Sequence, residues 1–360
     1  MVYGRVGALR SMFTRLQGSH SSRKEVIVMR AMVLHEQAPV ETAPLRLEEV
    51  ELPEPGEGEI RITIEACGLC HTDLHTIEGD FELRKRPIIP GHQVVGRVEA
   101  LGGGVTRFGI GDRAGIAWLY GTCGTCRFCR SGRENLCLEG RFTGWDVDGG
   151  YAESIVAGEA WAYPIPEGIG AEEATPLLCG GIVGYRALRQ TEPEAGKRIG
   201  MYGFGNSAHV TIQVARHLGC EVAVFTRDPD HQRHAEELGA IWVGSVPEEP
   251  PFPLDAAIMF APAGELVPPA LRMLDRGGIL VLGGIFMTPI PEMEYLPHLW
   301  DEKVIRSVAN ATREDGRELL EYAAMIPIRT ETSPFPLEEA NEALRKMKSS
   351  EISGDAVLVP

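Results

Sequence analysis

The chain has 360 residues, 44% of them hydrophobic and 24% charged, with 42 glycines and 25 prolines. That length accommodates two ordinary domains, each with its own core. A formal net charge of -16 argues against nucleic acid, because phosphate neutralisation needs clustered Lys and Arg. No run approaches the roughly 18 apolar residues of a membrane span.

Residues 1 to 24 carry Arg5, Arg10, Arg15, Arg23 and Lys24 without an acid. They lack the apolar centre of a secretory signal. We read residues 1–28 as a disordered extension of a cytoplasmic protein, with the fold starting near Met29. Strands are expected over Val26–Leu34, Glu59–Glu65, Val94–Ala100 and Tyr151–Val156. Gly102-Gly-Gly104 and Gly109-Ile-Gly-Asp112 supply turns among them. This part is strands and loops, with no βαβ alternation.

Two cysteine clusters fall here. Cys67-x-x-Cys70-His71 has the spacing of c-type haem attachment and equally of half a zinc site, and its own residues do not decide between them. Cys123, Cys126, Cys129 and Cys137 lie within fifteen residues, too tight for an ordinary disulfide framework. Four thiolates around a tetrahedral ion make a closed structural zinc site.

After Glu167 the texture changes. A helix is expected over Ala171–Gln190. Strands Arg198–Tyr202, Val222–Phe225, Leu254–Met259 and Gly278–Leu282 then alternate with helices Ser207–Leu218, Asp230–Leu238 and Leu266–Leu274. That rhythm predicts a parallel, doubly wound sheet. An amphipathic helix over Pro336–Lys348 and a strand over Ala356–Val359 close the chain.

Gly203-Phe204-Gly205-Asn206-Ser207-Ala208 follows the first of these strands and opens its helix. The first glycine permits a tight turn and the second lets backbone approach a pyrophosphate, with Ala208 in the place of the usual third glycine. The anion then rests on helix N–H groups. The next strand ends in Thr226 and Arg227, where an NAD enzyme carries an acid for the ribose hydroxyls. A guanidinium suits a 2'-phosphate, so NADP is preferred, with NAD possible because Asp228 follows directly.

Together these residues resemble the zinc-containing medium-chain alcohol dehydrogenases. The likeness runs from Met29 to Pro360 and rests on Cys70-His-Thr-Asp73, Gly91-His92, the four-cysteine lobe, Pro176-Leu-Leu-Cys179-Gly-Gly and the glycine-rich turn. It implies an α/β fold in which a GroES-like β-rich catalytic domain (29–170, returning over 310–360) is interrupted by a Rossmann doubly wound parallel-sheet domain (171–309). It also implies two zinc ions per chain, one structural and one catalytic. Cys70, His92 and Cys179 would hold the catalytic ion, with a fourth position left for alcohol.

By the same resemblance Thr72 takes the alcohol proton and His75 passes it to solvent. Asp73 orients His92, and His71 lies near the cofactor pyrophosphate. Phe81 and Trp118 line the pocket for a primary or secondary alcohol or an aldehyde. The family assembles as homodimers or homotetramers. Two departures stand out: Gln93 replaces the family's Glu after the ligand histidine, and Asp355 lies about where many members place a phosphate-binding Arg. A quinone or enoyl reductase of the superfamily needs no metal, so seven zinc ligands count against it. Haem attachment and a non-catalytic, nucleotide-sensing role are the readings from other classes; the presence of both Thr72 and His75 disfavours the latter. Cys67 and Cys220 match no ligand position and read as structural.

Overall fold

The structure is a computed structural model that describes residues 26–284 and 286–360, with the backbone of 14 and 15. The expected extension falls outside the described residues, apart from those two and from Val26, Ile27 and Val28. These last three open the strand Val26–Leu34.

The first large sheet is built around the strand Glu59–Gly68, whose Ile60, Ile62 and Ile64 alternate into the core as the two-residue side-chain period requires. It pairs antiparallel with Gln93–Leu101, Ser154–Gly158 and the carboxy-terminal strand Asp355–Val359. Register is fixed at the last pairing by Val357 opposite Gly68 and Leu358 opposite Cys67. The strand Thr332–Pro336 extends this edge. The end of the chain therefore returns to the sheet that its beginning formed.

The second sheet has six parallel strands in the order Trp242–Gly244, Glu221–Phe225, Arg198–Tyr202, Leu254–Met259, Leu274–Leu282 and Val304–Ser307. Its central strands are buried nearly throughout, as expected with helices covering both faces. Strand order reverses beside Arg198–Tyr202, and a ligand crevice opens at such a point. Gly203 stands there.

The chain departs from the expected elements in two informative places. The helix expected over Ala171–Gln190 is three pieces: Ala171–Ala174, a 3-10 turn Pro176–Leu178, and Gly180–Gln190. Pro176 has no N–H to continue a helix, and Cys179 sits at φ -134°, ψ -82° between the pieces. The longest helix among the described residues, Arg313–Met325, has no counterpart among the expected elements.

Gly180 and Gly184 let the helix Gly180–Gln190 lie close on the helix Asn206–His217. A Cβ at Gly184 would meet the Thr211 hydroxyl and approach the Ser207 carbonyl oxygen to 2.9 Å, and one at Gly180 would meet Ser207 Oγ at 3.0 Å. This contact brings Cys179, at the head of the first helix, beside the glycine turn at the head of the second.

Candidate active site

Cys70 follows the strand Glu59–Gly68 and caps the helix His71–Glu78. Its Sγ accepts the Thr72 N–H at 3.2 Å, and its own N–H donates to Asp73 Oδ2 at 2.9 Å. The other Asp73 oxygen lies 3.1 Å from His92 Nδ1. With one ring nitrogen so engaged, the buried His92 presents Nε2 to Cys70 Sγ at 3.3 Å. Cys179 Sγ, delivered by the break in the helix, lies 3.9 Å from Cys70 Sγ.

The three ligand atoms lie within 4.8 Å of one another. A tetrahedral zinc with ordinary Zn–S and Zn–N bonds sets its ligand atoms about 3.5 to 3.8 Å apart. The observed Cys70 separations lie close to that range, so the donor set fits zinc in both chemistry and spacing.

The electrostatics agree. The hydrogen bond from Cys179 holds the Cys70 thiol well below its usual range, and the same bond pushes Cys179 well up. Two sulfurs so close share one proton, an arrangement a divalent cation replaces. Burial alone would lower His92, but the Asp73 carboxylate and the Cys70 thiolate beside it raise it well above the ordinary imidazole range. Burial also raises Asp73, and His92 opposes that shift.

Around this cluster stands an aromatic wall. Trp118 meets His92 edge-on at 5.0 Å and stacks on Phe142 and Trp145 at 5.2 and 6.0 Å. Phe81 packs against Trp145 and His75, and Phe286 lies 4.3 Å from the His75 ring. Sequence reasoning found Phe81 and Trp118 but missed Phe142, Trp145 and Phe286, which converge only through folding. It also missed Asp80, whose Oδ2 lies 2.7 Å from His75 Nδ1. Gly79, at φ 95°, ends the helix and turns the chain back toward His75; a Gly-Asp pair after a helix was the available signal.

Gln93 is buried against Gly68, and its Nε2 has no hydrogen-bond partner among the described residues. Thr72 is buried in the first turn of its helix, whereas His71 is exposed.

In the four-cysteine lobe, Cys123–Cys137 and Cys126–Cys129 are each 3.5 Å apart, and Cys123–Cys129 is 3.9 Å. These are again near the edges of a ZnS4 tetrahedron. Hydrogen bonds from the Thr125 and Cys126 amides hold the Cys123 thiol down to about 6, which makes it a thiolate at neutral pH. Burial pushes Cys137 up to about 11. None of the eight cysteines is in a disulfide.

At the glycine turn, Gly203 has φ 86°, and a Cβ there would lie 2.8 Å from the Ala261 N–H nitrogen. Both its backbone and its space demand glycine. Gly205 caps the helix Asn206–His217 without a side-chain hydrogen bond to its first amides. The Phe204 side chain is core, so only its backbone is available to a phosphate. Ala208 is fully buried, and the Asn206 amide nitrogen donates to Asp355. Thr226 is held by its N–H to the Gly244 carbonyl oxygen at 2.9 Å, and Arg227 is exposed. The Asp228 carboxylate caps the following helix, accepting from the Asp230 and His231 amides at 2.8 and 3.2 Å.

A GroES-like sheet, a Rossmann-like parallel sheet and a Cys-His-Cys cluster with the spacing to hold a metal are together the arrangement of a zinc-type nicotinamide dehydrogenase. The family description of the alcohol dehydrogenase GroES-like domain matches residues 56–167. A Mycobacterium tuberculosis protein named "Probable alcohol dehydrogenase AdhA" is 46% identical over 92% of this chain and 97% of its own length. The cinnamyl alcohol dehydrogenase SbCAD4 of Sorghum bicolor superposes with a TM-score of 0.82 at 25% identity, over 92% of this chain and 97% of that one. A Sinorhizobium meliloti protein described as "a putative zinc-binding dehydrogenase" and solved bound to NADP also has a TM-score of 0.82 at 25% identity, over 92% and 99% of the two chains. The chain belongs to the zinc-containing medium-chain alcohol dehydrogenase family. It is an NAD(P)-dependent alcohol dehydrogenase acting on small-molecule alcohols or aldehydes. Among the described residues, no helix is long and apolar enough to cross a membrane.

Proposed function

We propose that Cys70, His92 and Cys179 hold a catalytic zinc, that the four-cysteine lobe holds a second, and that NADP is the preferred cofactor. Oxidation of primary or secondary alcohols and reduction of the matching aldehydes or ketones follow. The convergence of three ligand atoms, each supplied by a different segment, carries this reading. Bound zinc supplies Lewis acidity that polarises the substrate oxygen and lowers an alcohol's pKa, while the nicotinamide accepts or returns hydride.

The protein's own groups do the rest. Asp73 engages Nδ1 of His92 and so aims Nε2 at the metal position. Thr72, in the first turn of the helix that Cys70 caps, takes the substrate proton. His75, one turn further on and partly exposed, passes it outward, with Asp80 holding its ring. Phe81, Trp118 and Trp145 make an apolar wall beside the metal position, with the half-exposed Phe286 at its outer edge against His75. Gln93 contributes no charge near the ligand histidine, so the neighbourhood is less negative than with the family's Glu.

Asp228 supports the choice of NADP: its carboxylate is committed to the helix cap, whereas Arg227 is exposed and in no ion pair among the described residues. A charge-assisted contact contributes about 1.5 to 3 kcal/mol. Arg227→Ala should therefore lower kcat/KM for NADP about 10- to 100-fold and leave NAD little changed. Kinetics with both cofactors across a panel of alcohols and aldehydes test this, and a wild-type preference for NAD would overturn it.

Asp355 adds a pH dependence. Burial pushes its carboxyl up to about 7, against the lowering effect of the Asn206 hydrogen bond. It is neutral below that pH and anionic above it, and Asn206 opens the helix on which the pyrophosphate would rest. Cofactor binding should weaken about tenfold as pH rises from roughly 6 to 8, because like charges then face each other. Asp355→Asn should flatten the curve. Titration of NADPH by fluorescence measures it, and an identical slope in the variant would refute the assignment.

We also place the protein in the cytoplasm as a homodimer or homotetramer. The strand Val304–Ser307 is an open sheet edge, and Tyr295, Leu296 and Trp300 are exposed large apolar side chains close before it in sequence. A monomeric mass in light scattering, or recovery of the chain from an exported fraction, contradicts these readings.

A further inference from the structure

A second cleft, of about 910 Å3, involves none of the zinc, relay or nucleotide residues named above. One side is Arg107, the turn Gly132–Glu134 beside the four-cysteine lobe, and residues 160 and 162–164. The other is the end of the helix Gly180–Gln190 and the first turn of the helix Arg313–Met325. Seven arginines and four carboxylates line it, and two further carboxylates, Glu318 and Glu321, pair with Arg189 and Arg317, in a chain whose net charge is -16.

The carboxylates are already taken. Asp315, almost fully buried, accepts from Arg186 at 2.6 Å and Arg189 at 3.0 Å and also caps its own helix. Glu134 pairs with Arg313 at 3.3 Å, Glu192 with Arg306 at 2.9 Å and Glu314 with Arg317 at 2.5 Å.

Two guanidinium groups remain in no ion pair among the described residues. Arg133 donates through Nε to Ser131 Oγ, and Arg107 donates to the Glu159 and Ala162 carbonyl oxygens. The nearby Glu159 carboxylate turns instead to the amides of Thr106 and Arg107. In addition, Nε of Arg186 is buried without a partner among the described residues.

A buried guanidinium donor without an acceptor is costly, and two guanidinium groups in no ion pair at one cleft repel each other. Guanidinium forks match phosphate oxygens in pairs. The volume lies within the range of small-molecule sites. A single carboxylate offers one fork, whereas a diphosphate offers acceptors to Arg107, Arg133 and the Arg186 Nε together.

We propose that this cleft is a second anion site, taking an organic molecule with at least two phosphate groups and held chiefly by Arg107, Arg133 and Arg186. Such a ligand would bridge the turn beside the four-cysteine lobe to the helix that begins after Cys179.

The test is calorimetry on the full-length, zinc-loaded protein saturated with whichever of NADPH or NADH it binds, titrated with inorganic pyrophosphate. The filled nucleotide site then cannot supply the signal, and cofactor choice does not affect the outcome. One further equivalent should bind, at least about tenfold more tightly than inorganic phosphate, and weaken with added salt. Arg133→Ala and Arg107→Ala should each weaken pyrophosphate at least about fivefold, while kcat/KM without pyrophosphate stays unchanged. No binding to the cofactor-saturated protein, or an affinity untouched by both substitutions, overturns the proposal.

Discussion

Cys179→Ser is expected to lower kcat/KM for alcohol oxidation by at least about three orders of magnitude and to release one zinc per chain. Serine keeps the volume but is a poor zinc ligand, and loss of Lewis-acid stabilisation amounts to several kcal/mol at about 1.4 kcal/mol per tenfold. Cys179 sits in the break between Leu178 and Gly180, so the substitution need not disturb either flanking helix. The helix Asn206–His217 keeps its glycine cap, and NADPH should bind the variant within about threefold of wild type. Steady-state kinetics, metal analysis and a fluorescence titration separate these effects. A variant that retains both its zinc and a tenth of the wild-type rate would contradict the ligand assignment.

The four-cysteine lobe should behave in the opposite way. Cys123→Ser removes a sulfur within 3.5 Å of Cys137 and 3.9 Å of Cys129, in a loop with little core of its own. Structural zinc supplies folding free energy directly. The expected result is loss of the other zinc and a fall in Tm of roughly 10 °C, with kcat/KM of the folded fraction near wild type at low temperature. Thermal unfolding followed by circular dichroism measures the shift. An unchanged Tm would mean that the lobe does not depend on its metal.

The two clusters differed in how far they could be read from the chain. The lobe's four cysteines are local, and spacing alone identifies their chemistry. Cys70, His92 and Cys179 are far apart in sequence, and only the resemblance joined them. The structure supplies the physical means: a cap at Cys70, the Asp73 contact to His92, and a helix break at Cys179. Periodicity ran through that break because Ala174, Leu177 and Leu178 are apolar on either side of Pro176, and all three are buried.

The four inner strands of the parallel sheet were legible because strands buried on both faces read as apolar runs, whereas the short edge strands Trp242–Gly244 and Val304–Ser307 were not. The helix Arg313–Met325 was not. Its first turn is charged, and Gly316 interrupts the helical pattern. That glycine fits against the Tyr163 ring, where a Cβ would meet Cζ at 2.7 Å. Thr312 and Asp315, which form a capping box, were the local signal for its start.

Gln93 and Asp355 are the two departures that the family resemblance implies, and each lies beside a proposed site. Gln93 leaves a buried amide nitrogen unpaired one residue from His92. Asp355 places a carboxyl against the first residue of the nucleotide helix. Neither contact could be read from spacing, because Asp355 reaches Asn206 only when the terminal strand pairs with Glu59–Gly68.

The most direct measurement is zinc per chain in the full-length protein purified without chelators, with Cys179→Ser and Cys123→Ser measured alongside. The account predicts about two zinc ions in the wild type and one in each variant. It also predicts that alcohol-dependent NADP reduction disappears only with the ion that depends on Cys179. One zinc or none in an active wild-type protein would contradict it.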